Sequence, residues 1–402
     1  KHLSNCQRSA RPLLSAVANA KKYSESIYLL LLPIYLFAQF IPGTMAYSKF
    51  PAGFSYHVTL VMGILVVLKM LLFDTFEWKD AAMFILVGLL IYSSCMKVMT
   101  FHMFYYYLFI IGARNIDYRK IIRVFLIFIP TFLVVIAVLA KLRYIPGLVF
   151  GRYGDATVRY ALGTIYPTDL AARVFYVAMF YAVLRRFKFN LAEHVGYLGL
   201  TILIYAITDT RLDTMLMILV YLVVLFRKPV FNFINWLGYQ WINLLSLFAI
   251  LVSILLAYFY KPDNPIFTLI DRVLSGRLVH QREAFTKYNV TVFGQYVTES
   301  GNGGANHNEN YKYFFIDSSF MRVLMMNGLV CFILVVIAIW FMSKRFIQEN
   351  AISLEICLLL VIVSSIIDQH MIEISFNILF LAFFANNAFF SEQKENSHLS
   401  VS

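Results

Sequence analysis

The sequence predicts an all-α, polytopic integral membrane protein with about twelve transmembrane helices. Sixty per cent of its 402 residues are apolar or aromatic and only 14% are charged, which is far from the balance of a soluble domain. The apolar residues also fall in blocks near the ~20 residues that a helix needs to cross the hydrocarbon layer. Because a helical bundle in lipid buries its surface continuously, we expect one transmembrane domain over residues 1–402.

Each apolar block lacks the sustained alternation of a strand and is interpreted as a buried helix. The blocks cover residues 27–46, 54–73, 81–97, 99–113, 121–142, 169–184, 195–209, 212–226, 238–260, 321–342, 353–369 and 373–391. Between and beyond them lie a basic tail at 1–26, a short loop at 143–168, a long loop at 261–320 and a tail at 392–402. The first block is too long for the apolar region of a signal peptide, so we interpret it as a membrane span.

The basic residues predict the orientation. With twelve spans, the basic clusters between spans all fall on one face, which the positive-inside bias assigns to the cytoplasm. The clusters are Arg8, Arg11, Lys21 and Lys22; Arg114, Arg119, Lys120 and Arg123; Arg185, Arg186 and Lys188; Arg227 and Lys228; Lys344 and Arg345; and Lys394. We therefore expect both tails in the cytoplasm and both loops outside. The net charge of +12 then reflects topology and attraction to anionic lipids rather than nucleic-acid binding.

The long outer loop has apolar residues at partly helical spacing, so we expect one or two amphipathic helices across the outer mouth of the bundle. The four cysteines are scattered, and no CxxC pair occurs. This spacing excludes a disulfide framework and a zinc site. The sequence also lacks an HExxH motif, a DxD-type pair and a Walker loop, so no metal or nucleotide site is predicted.

The outer segments carry arginines that the positive-inside bias disfavours. Guanidinium binds phosphate bidentately and stays protonated, so arginines that converge on one outer cavity suit a diphosphate-linked substrate. We give most weight to Arg159, Arg173, Arg211 and Arg277. Ionisable groups at the ends of spans, such as Arg173 and Arg211, usually face a cavity. The alternative is pairing with nearby acids or lipid phosphates, and Asp209 and Asp213 then form a salt-bridge shell around Arg211.

Carboxylates and histidines form a second group of candidates. Asp317 precedes the tenth span, and Asp368, His370 and Glu373 lie where the last two spans meet outside. Either set suits a general base for a sugar hydroxyl or a holder of an incoming sugar. The alternative for Asp317 is a helix N-cap, since it precedes two serines and an apolar run. The alternative for His280, in the long loop, is a solvated side chain.

Four motifs between about residues 140 and 330 carry a family resemblance. They are Arg159-Tyr-Ala-Leu-Gly163 ahead of Pro167-Thr-Asp169; Thr208-Asp-Thr-Arg211; Ser275-Gly-Arg277 with Phe293-Gly-Gln295; and Asp317-Ser-Ser319 with Asn327-Gly328. In this order, and on one predicted face, they resemble the motifs of Wzy-type bacterial polysaccharide polymerases.

The resemblance implies a GT-C-like membrane glycosyltransferase. Such an enzyme polymerises undecaprenyl-diphosphate-linked oligosaccharide repeat units at the outer face of the bacterial cell membrane, and no metal, nucleotide sugar or other cofactor is implied. The four arginines would neutralise the diphosphate leaving group. Asp317 is the nominated base, with Asp169 and His280 as further candidates. The implied partners are a lipid-linked donor, a lipid-linked acceptor and membrane lipids, and a chain-length regulator stays open.

Two other functions stay open as well. A flippase or transporter of lipid-linked saccharides needs a charged cavity deep in the bundle and often has repeat symmetry. In this sequence the polar residues concentrate outside, and no repeat is visible. An O-antigen-ligase-like transferase is expected to use an outer-face histidine near the position of Asp317, where this chain has none.

Overall fold

The computed structural model describes residues 2–152, 155–301, 303–304 and 313–392. The side chains of residues 2–20, 152, 155 and 156 are not described. Much of the Gly- and Asn-rich end of the long loop and the tail from residue 393 therefore lie outside the described residues.

Helices dominate the described chain. They are α1 (His2–Phe40), α2 (Phe54–Phe73), α3 (Trp78–Val98), α4 (His102–Gly112), α5 (Tyr118–Lys141), α6 (Pro167–Leu184), α7 (Leu191–Thr208), α8 (Arg211–Leu225), α9 (Arg227–Phe259), α10 (Pro265–Val273), α11 (Arg277–Lys287), α12 (Ser319–Arg322), α13 (Gly328–Gln348) and α14 (Ile352–Ile367). A π-helical turn, Val323–Asn327, joins α12 to α13. Helix α9 is broken at Gly238, where φ is 70°.

Eight helical segments of the described chain are long and apolar enough to cross a membrane. They are Lys21–Gly43, Phe54–Phe73, Trp78–Val98, Tyr118–Lys141, Pro167–Leu184, Leu191–Thr208, Arg227–Phe259 and Ser319–Gln348. A shorter apolar helix, α14, packs among them. These segments confirm the predicted all-α class and a multi-pass membrane architecture.

The two predicted outer loops have structure of their own. The short loop contains an antiparallel hairpin, β1 (Val149–Arg152) and β2 (Asp155–Tyr160), which was not predicted from the sequence. The long loop contains α10 and α11, as expected for its amphipathic spacing. Leu278 and Ala284 of α11 pack in a small second core with Tyr260, Phe314 and Met325. This core fixes α11 against the end of the bundle.

One end of the bundle gathers the basic clusters, and we call it the basic end. There Lys120 pairs with Glu25 at 2.7 Å. Arg227 pairs with Glu392 at 2.7 Å and donates to the backbone oxygen of Arg186 at 2.9 Å. Positive residues at the start of α5, just after α6 and at the start of α9 therefore share one end.

Residues 373–391 were predicted to form a twelfth helix, and that prediction is wrong. The segment consists of short 3₁₀ turns at Leu379–Phe383 and Ala388–Phe390 with irregular backbone around them. It is nevertheless deeply buried, and Asn377 is fully inaccessible to solvent. Its last residues reach the basic end, where the backbone N–H of Tyr118 donates to the backbone oxygen of Asn386 at 3.0 Å.

Neighbouring helices satisfy the backbone of this irregular segment. Tyr106 donates to the backbone oxygen of Asn377 at 2.5 Å. Arg345 of α13 donates to the backbone oxygens of Ala382 at 3.2 Å and Ala385 at 2.8 Å, and also to that of Phe383. Irregular backbone is tolerated at membrane depth only where protein surrounds it and partners its polar groups. An apolar run alone therefore does not require a helix here.

Replacing Arg345 with Lys should destabilise the fold by about 2–4 kcal/mol, because an ammonium group cannot reproduce several fork-shaped hydrogen bonds from one charged group. Thermal unfolding of the detergent-purified variant measures the effect. Arg123→Lys is the matched control, since Arg123 is exposed. Equal stability of the two variants would show that Arg345 does not hold the irregular segment.

Candidate functional site

The candidate site lies at the other end of the bundle, where the start of α11 meets the end of α14. The chain enters α11 through Ser275 and Gly276, whose φ angles are 59° and 82°. The Asp271 carboxylate then accepts from the backbone N–H of Leu278 at 2.8 Å. This tight turn makes Arg277 the first residue of α11, and its side chain is only 14% exposed.

Arg277 lies between two carboxylates. Its Nη2 is 3.0 Å from Asp368 Oδ1, and its Nε is 3.4 Å from Asp317 Oδ2. Burial by itself would lower the pKa of Arg277, but Asp368, Asp317 and Asp213 outweigh burial and raise that pKa. The guanidinium therefore stays charged at the site.

Asp317 does not cap a helix. Helix α12 begins at Ser319 with Ser318 at its N-cap, and no side chain caps it. The Asp317 carboxylate faces Arg277 instead. Burial raises the pKa of the Asp317 carboxyl, although Arg277 and His280 act against the rise. Asp317 therefore holds a proton at a higher pH than an ordinary aspartate does.

Several buried polar atoms around Arg277 have no hydrogen-bond partner within the described part of the chain. They are Nη1 of Arg277, Oδ2 of Asp368 and Oδ1 of Asp213. A buried unsatisfied donor or acceptor costs about 1–3 kcal/mol, so such atoms need an explanation. One donor beside two acceptors suits a ligand that carries both an anionic oxygen and hydroxyl groups.

Arg173 forms the second half of the site. Its guanidinium lies over the rings of Phe40 at 4.4 Å and Phe376 at 4.0 Å, and its Nη1 donates to Ser375 Oγ at 3.3 Å. A side chain at Gly43 would displace the guanidinium, because its Cβ would lie 2.5 Å from Arg173 Nη2. The two rings hold the cation while leaving its Nε without a hydrogen-bond partner among the described residues.

His370 and Glu373 connect the two halves. The His370 ring stacks on Phe376 with 3.6 Å between centroids, and its Nδ1 is 3.3 Å from Glu373 Oε2. Asp169, in the first turn of α6, acts electrostatically on both His370 and Asp368. The ionisable groups from Arg173 to Arg277 are therefore electrostatically connected.

Five of the seven predicted site residues belong to this connected group: Arg173, Arg277, Asp169, Asp317 and His280. His280 is at the edge of the group, where it acts on Asp317 and its ring lies 4.8 Å from that of Tyr313. Arg159, on β2, donates through Nε to the backbone oxygen of Thr208 at 2.8 Å. Arg211 is exposed.

The predicted salt-bridge shell of Arg211 is wrong. Within the described residues no ion pair joins Arg211 to Asp209 or Asp213. Asp213 is buried instead, and it acts electrostatically on Arg277 and Asp368. Residues two positions apart on a helix point to different sides, which explains why Arg211 and Asp213 separate.

The pairing of Arg277 with Asp368 and the burial of Asp213 beside them were not predicted. From the sequence, Asp368 was expected only as part of a base or a sugar-holding group. A second unpredicted pair, Arg322 with Glu299, joins α12 to the long loop through two hydrogen bonds of 2.9 and 2.5 Å. The sequence predicted only that these segments share one face of the membrane. That prediction does not specify which arginine pairs with which carboxylate.

Two of the sequence motifs meet beside the site. The backbone N–H of Gln295 donates to the backbone oxygen of Met326 at 2.8 Å. Gly294 and Gly328, whose φ angles are 85° and 87°, lie back to back, and a Cβ on Gly328 would be 2.2 Å from Gly294 N. The long loop is thereby fixed against the start of α13.

No family model, curated protein or solved structure matches this chain. Within the described residues no group of three or more His, Cys, Asp or Glu side chains is arranged to hold a metal ion. The geometry of the Arg277 group is therefore the basis of any functional assignment.

His370 should make stability depend on pH. Burial alone would lower the pKa of His370, but Glu373, followed by Asp169 and Asp368, outweighs burial and raises it. A raised pKa in the folded state contributes stability that is fully present below the ordinary histidine pKa of about 6.5. That contribution is lost as pH rises through the folded pKa. His370→Gln should remove it, so the free energy of unfolding of this variant should fall less than that of the wild type as pH rises above about 6.5.

Thermal unfolding in detergent across this pH range checks the expectation. His57→Gln is the control, because His57 is exposed and is not among the ionisable groups that act on His370. If His370→Gln keeps the wild-type pH dependence, the His370–Glu373 pair does not carry a stabilising proton.

Proposed function

We propose that this protein is a multi-pass membrane glycosyltransferase that polymerises oligosaccharide repeat units linked to undecaprenyl diphosphate. The observation that carries the proposal is the buried Arg277, shared between Asp317 and Asp368 with donor and acceptor atoms unpartnered in the described chain. Those atoms fit an anionic, hydroxylated ligand. The order of the Wzy-like motifs, three of which contribute residues to this end of the bundle, supports the same class.

The proposed topology has twelve crossings. They are the eight long apolar segments, the shorter helices α4, α8 and α14, and the irregular segment 373–391. The positive-inside bias then assigns the basic end to the cytoplasm of a bacterial cell and the Arg277 end to its outer face. A lipid-linked substrate would reach the site with its prenyl chain in the bilayer and its diphosphate at the interface.

In the proposed reaction, a hydroxyl oxygen of the acceptor sugar attacks the anomeric carbon of the donor. The bond from that carbon to the diphosphate oxygen breaks, and the diphosphate leaves with the electron pair. Asp317 takes the hydroxyl proton as general base. Arg277 and Arg173 neutralise the charge that develops on the leaving group.

The carboxylates suit the saccharide part of such a substrate. Asp317 and Asp368 contact one arginine and Asp213 acts on it electrostatically, which leaves acceptor atoms in excess of donors. Sugar hydroxyls are donors and can bind these oxygens. Contacts that hold two saccharides in register would bring the reacting atoms together.

A transporter of lipid-linked saccharides is the second candidate. The irregular segment 373–391 favours it, because transporters build their binding sites from interrupted membrane helices. An O-antigen-ligase-like transferase would differ by adding a saccharide once. The products of a reconstituted reaction therefore separate the three functions.

Purified protein in lipid vesicles, given a lipid-diphosphate-linked repeat unit with EDTA and without nucleotide sugar, should produce a ladder of repeat multiples on a gel. Asp317→Asn should lower the initial rate roughly 10²- to 10⁴-fold, the usual contribution of a general base. Asp263→Asn is the matched control, because Asp263 is an exposed acid of the same loop.

An Asp317→Asn variant that keeps the wild-type rate would show that Asp317 is not the general base. If the native repeat unit yields no ladder but crosses the vesicle membrane, the transporter replaces the polymerase. A single addition to another acceptor would indicate a ligase-like transferase.

The pH dependence of the rate gives a further prediction. A general base must be deprotonated, and burial raises the pKa of Asp317. The polymerisation rate should therefore fall on acidification at a pH above the ordinary aspartate value of about 3.9. Initial rates measured across acidic pH check this, with the unfolding temperature recorded at each pH as control. A rate that stays constant down to that value would contradict the assignment.

A further inference from the structure

A cavity of about 820 Å³ extends from Ile372, next to Glu373, toward the basic end. Its walls are α3, α4, α13 and the irregular segment, and they are mostly apolar. Each wall contributes apolar side chains, for example Phe84 of α3, Tyr107 of α4, Ala338 of α13 and Phe380 of the irregular segment. Its volume is within the usual range of specific small-molecule sites, about 300–1,000 Å³.

The cavity arises because α3 and α13 meet near one end only. The hydroxyl of Ser94, which is fully buried, donates to the backbone oxygen of Asn327 at 2.8 Å. From Ile91 toward the basic end, the space between the two helices is cavity rather than packed side chains. Both helices have exposed apolar residues beside it, including Met83 and Phe341. The cleft is therefore adjacent to lipid if these helices span the membrane.

The polar residues of the cavity gather at its basic end. Arg345 is already occupied by Glu349 and by the irregular segment. Arg114 has a long pair with Asp80, at 3.4 Å, and lies over the Phe76 ring at 5.0 Å. Lys344 makes no hydrogen bond or ion pair with the described residues. An anionic group at this mouth of the cavity would therefore meet Lys344 and Arg114, with Asp80 as the acid that Arg114 would have to release.

We propose that this cleft binds one anionic phospholipid of the surrounding bilayer. An acyl chain fills the apolar cavity between α3 and α13, and the phosphate lies at Lys344 and Arg114. The cleft and a phospholipid have the same amphipathic arrangement. Apolar walls line the part that an acyl chain would fill, and cations occur only where a headgroup at the interface would lie. The phosphate position lies at the opposite end from Arg277, and the proposal does not rest on the proposed glycosyl transfer.

Native mass spectrometry tests the proposal on protein taken from nanodiscs of equal phosphatidylglycerol and phosphatidylcholine. We expect one phosphatidylglycerol to be retained in preference to phosphatidylcholine. The double variant Lys344→Gln/Arg114→Gln should lower this preference roughly tenfold, since both charges that attract the phosphate are then lost. Lys228→Gln, at an exposed lysine of the same end, is the charge control.

Filling the cavity tests the acyl-chain part separately. Ala338→Trp should abolish the retained lipid, whereas Leu245→Trp, on an exposed apolar surface of α9, should not. Equal retention of both lipids by the wild type, or an unchanged preference in the double variant, would overturn the proposal. Measuring the mass of the wild type in detergent adds a third check: a wild-type dimer that Ala338→Trp converts to a monomer would also overturn the proposal, because the cleft would then be an interface between copies of the chain.

Discussion

An irregular backbone buried in an apolar bundle must have its polar groups partnered by the surrounding protein, and segment 373–391 imposes this requirement on much of the molecule. Tyr106 and Arg345 donate to its carbonyl oxygens from two different helices. Its start holds Phe376, against which Arg173 and His370 both stack. The same segment therefore organises the basic end and one half of the candidate site, and it also forms a wall of the lipid cleft.

The charges at the opposite end obey a related constraint. A buried arginine needs compensating carboxylates, and Arg277 has Asp317 and Asp368 within 3.4 and 3.0 Å. Removing one partner of such a pair is expensive because it leaves a buried charge uncompensated. This explains how a cluster so rich in ionisable groups is stable, and why a phosphate could replace a carboxylate beside Arg277 without leaving the guanidinium unpaired.

Composition and periodicity were sufficient to predict the membrane class and most helices, because a span needs a long apolar run. They were insufficient for 373–391, since an apolar run specifies depth but not backbone conformation. Asn377 and Asn386 there accept hydrogen bonds from backbone N–H groups two residues on, a pattern typical of turns that compete with helix. The salt-bridge shell predicted for Arg211 was wrong for a local reason: Arg211 and Asp213 are two positions apart on one helix, so their side chains point to different sides.

The candidate site was predictable in part. Arg277 and Asp317 were both nominated because they lie in segments assigned to one face, and the structure brings them together. The contact of Arg277 with Asp368 joins residues far apart in sequence, and local patterns do not encode such a contact. The turn at Ser275 and Gly276 that aims Arg277 into the bundle is visible as a short motif, but its direction depends on the packing of α11.

The most direct measurement is a cryo-EM structure of the protein in nanodiscs with a non-reactive analogue of a lipid-diphosphate-linked saccharide. We expect a phosphate oxygen within about 3 Å of Arg277 Nη1, with saccharide hydroxyls on the Asp317 and Asp368 carboxylates. A bound analogue whose diphosphate lies elsewhere, with the Asp317–Arg277–Asp368 pairing unchanged, would contradict the proposed role of this site.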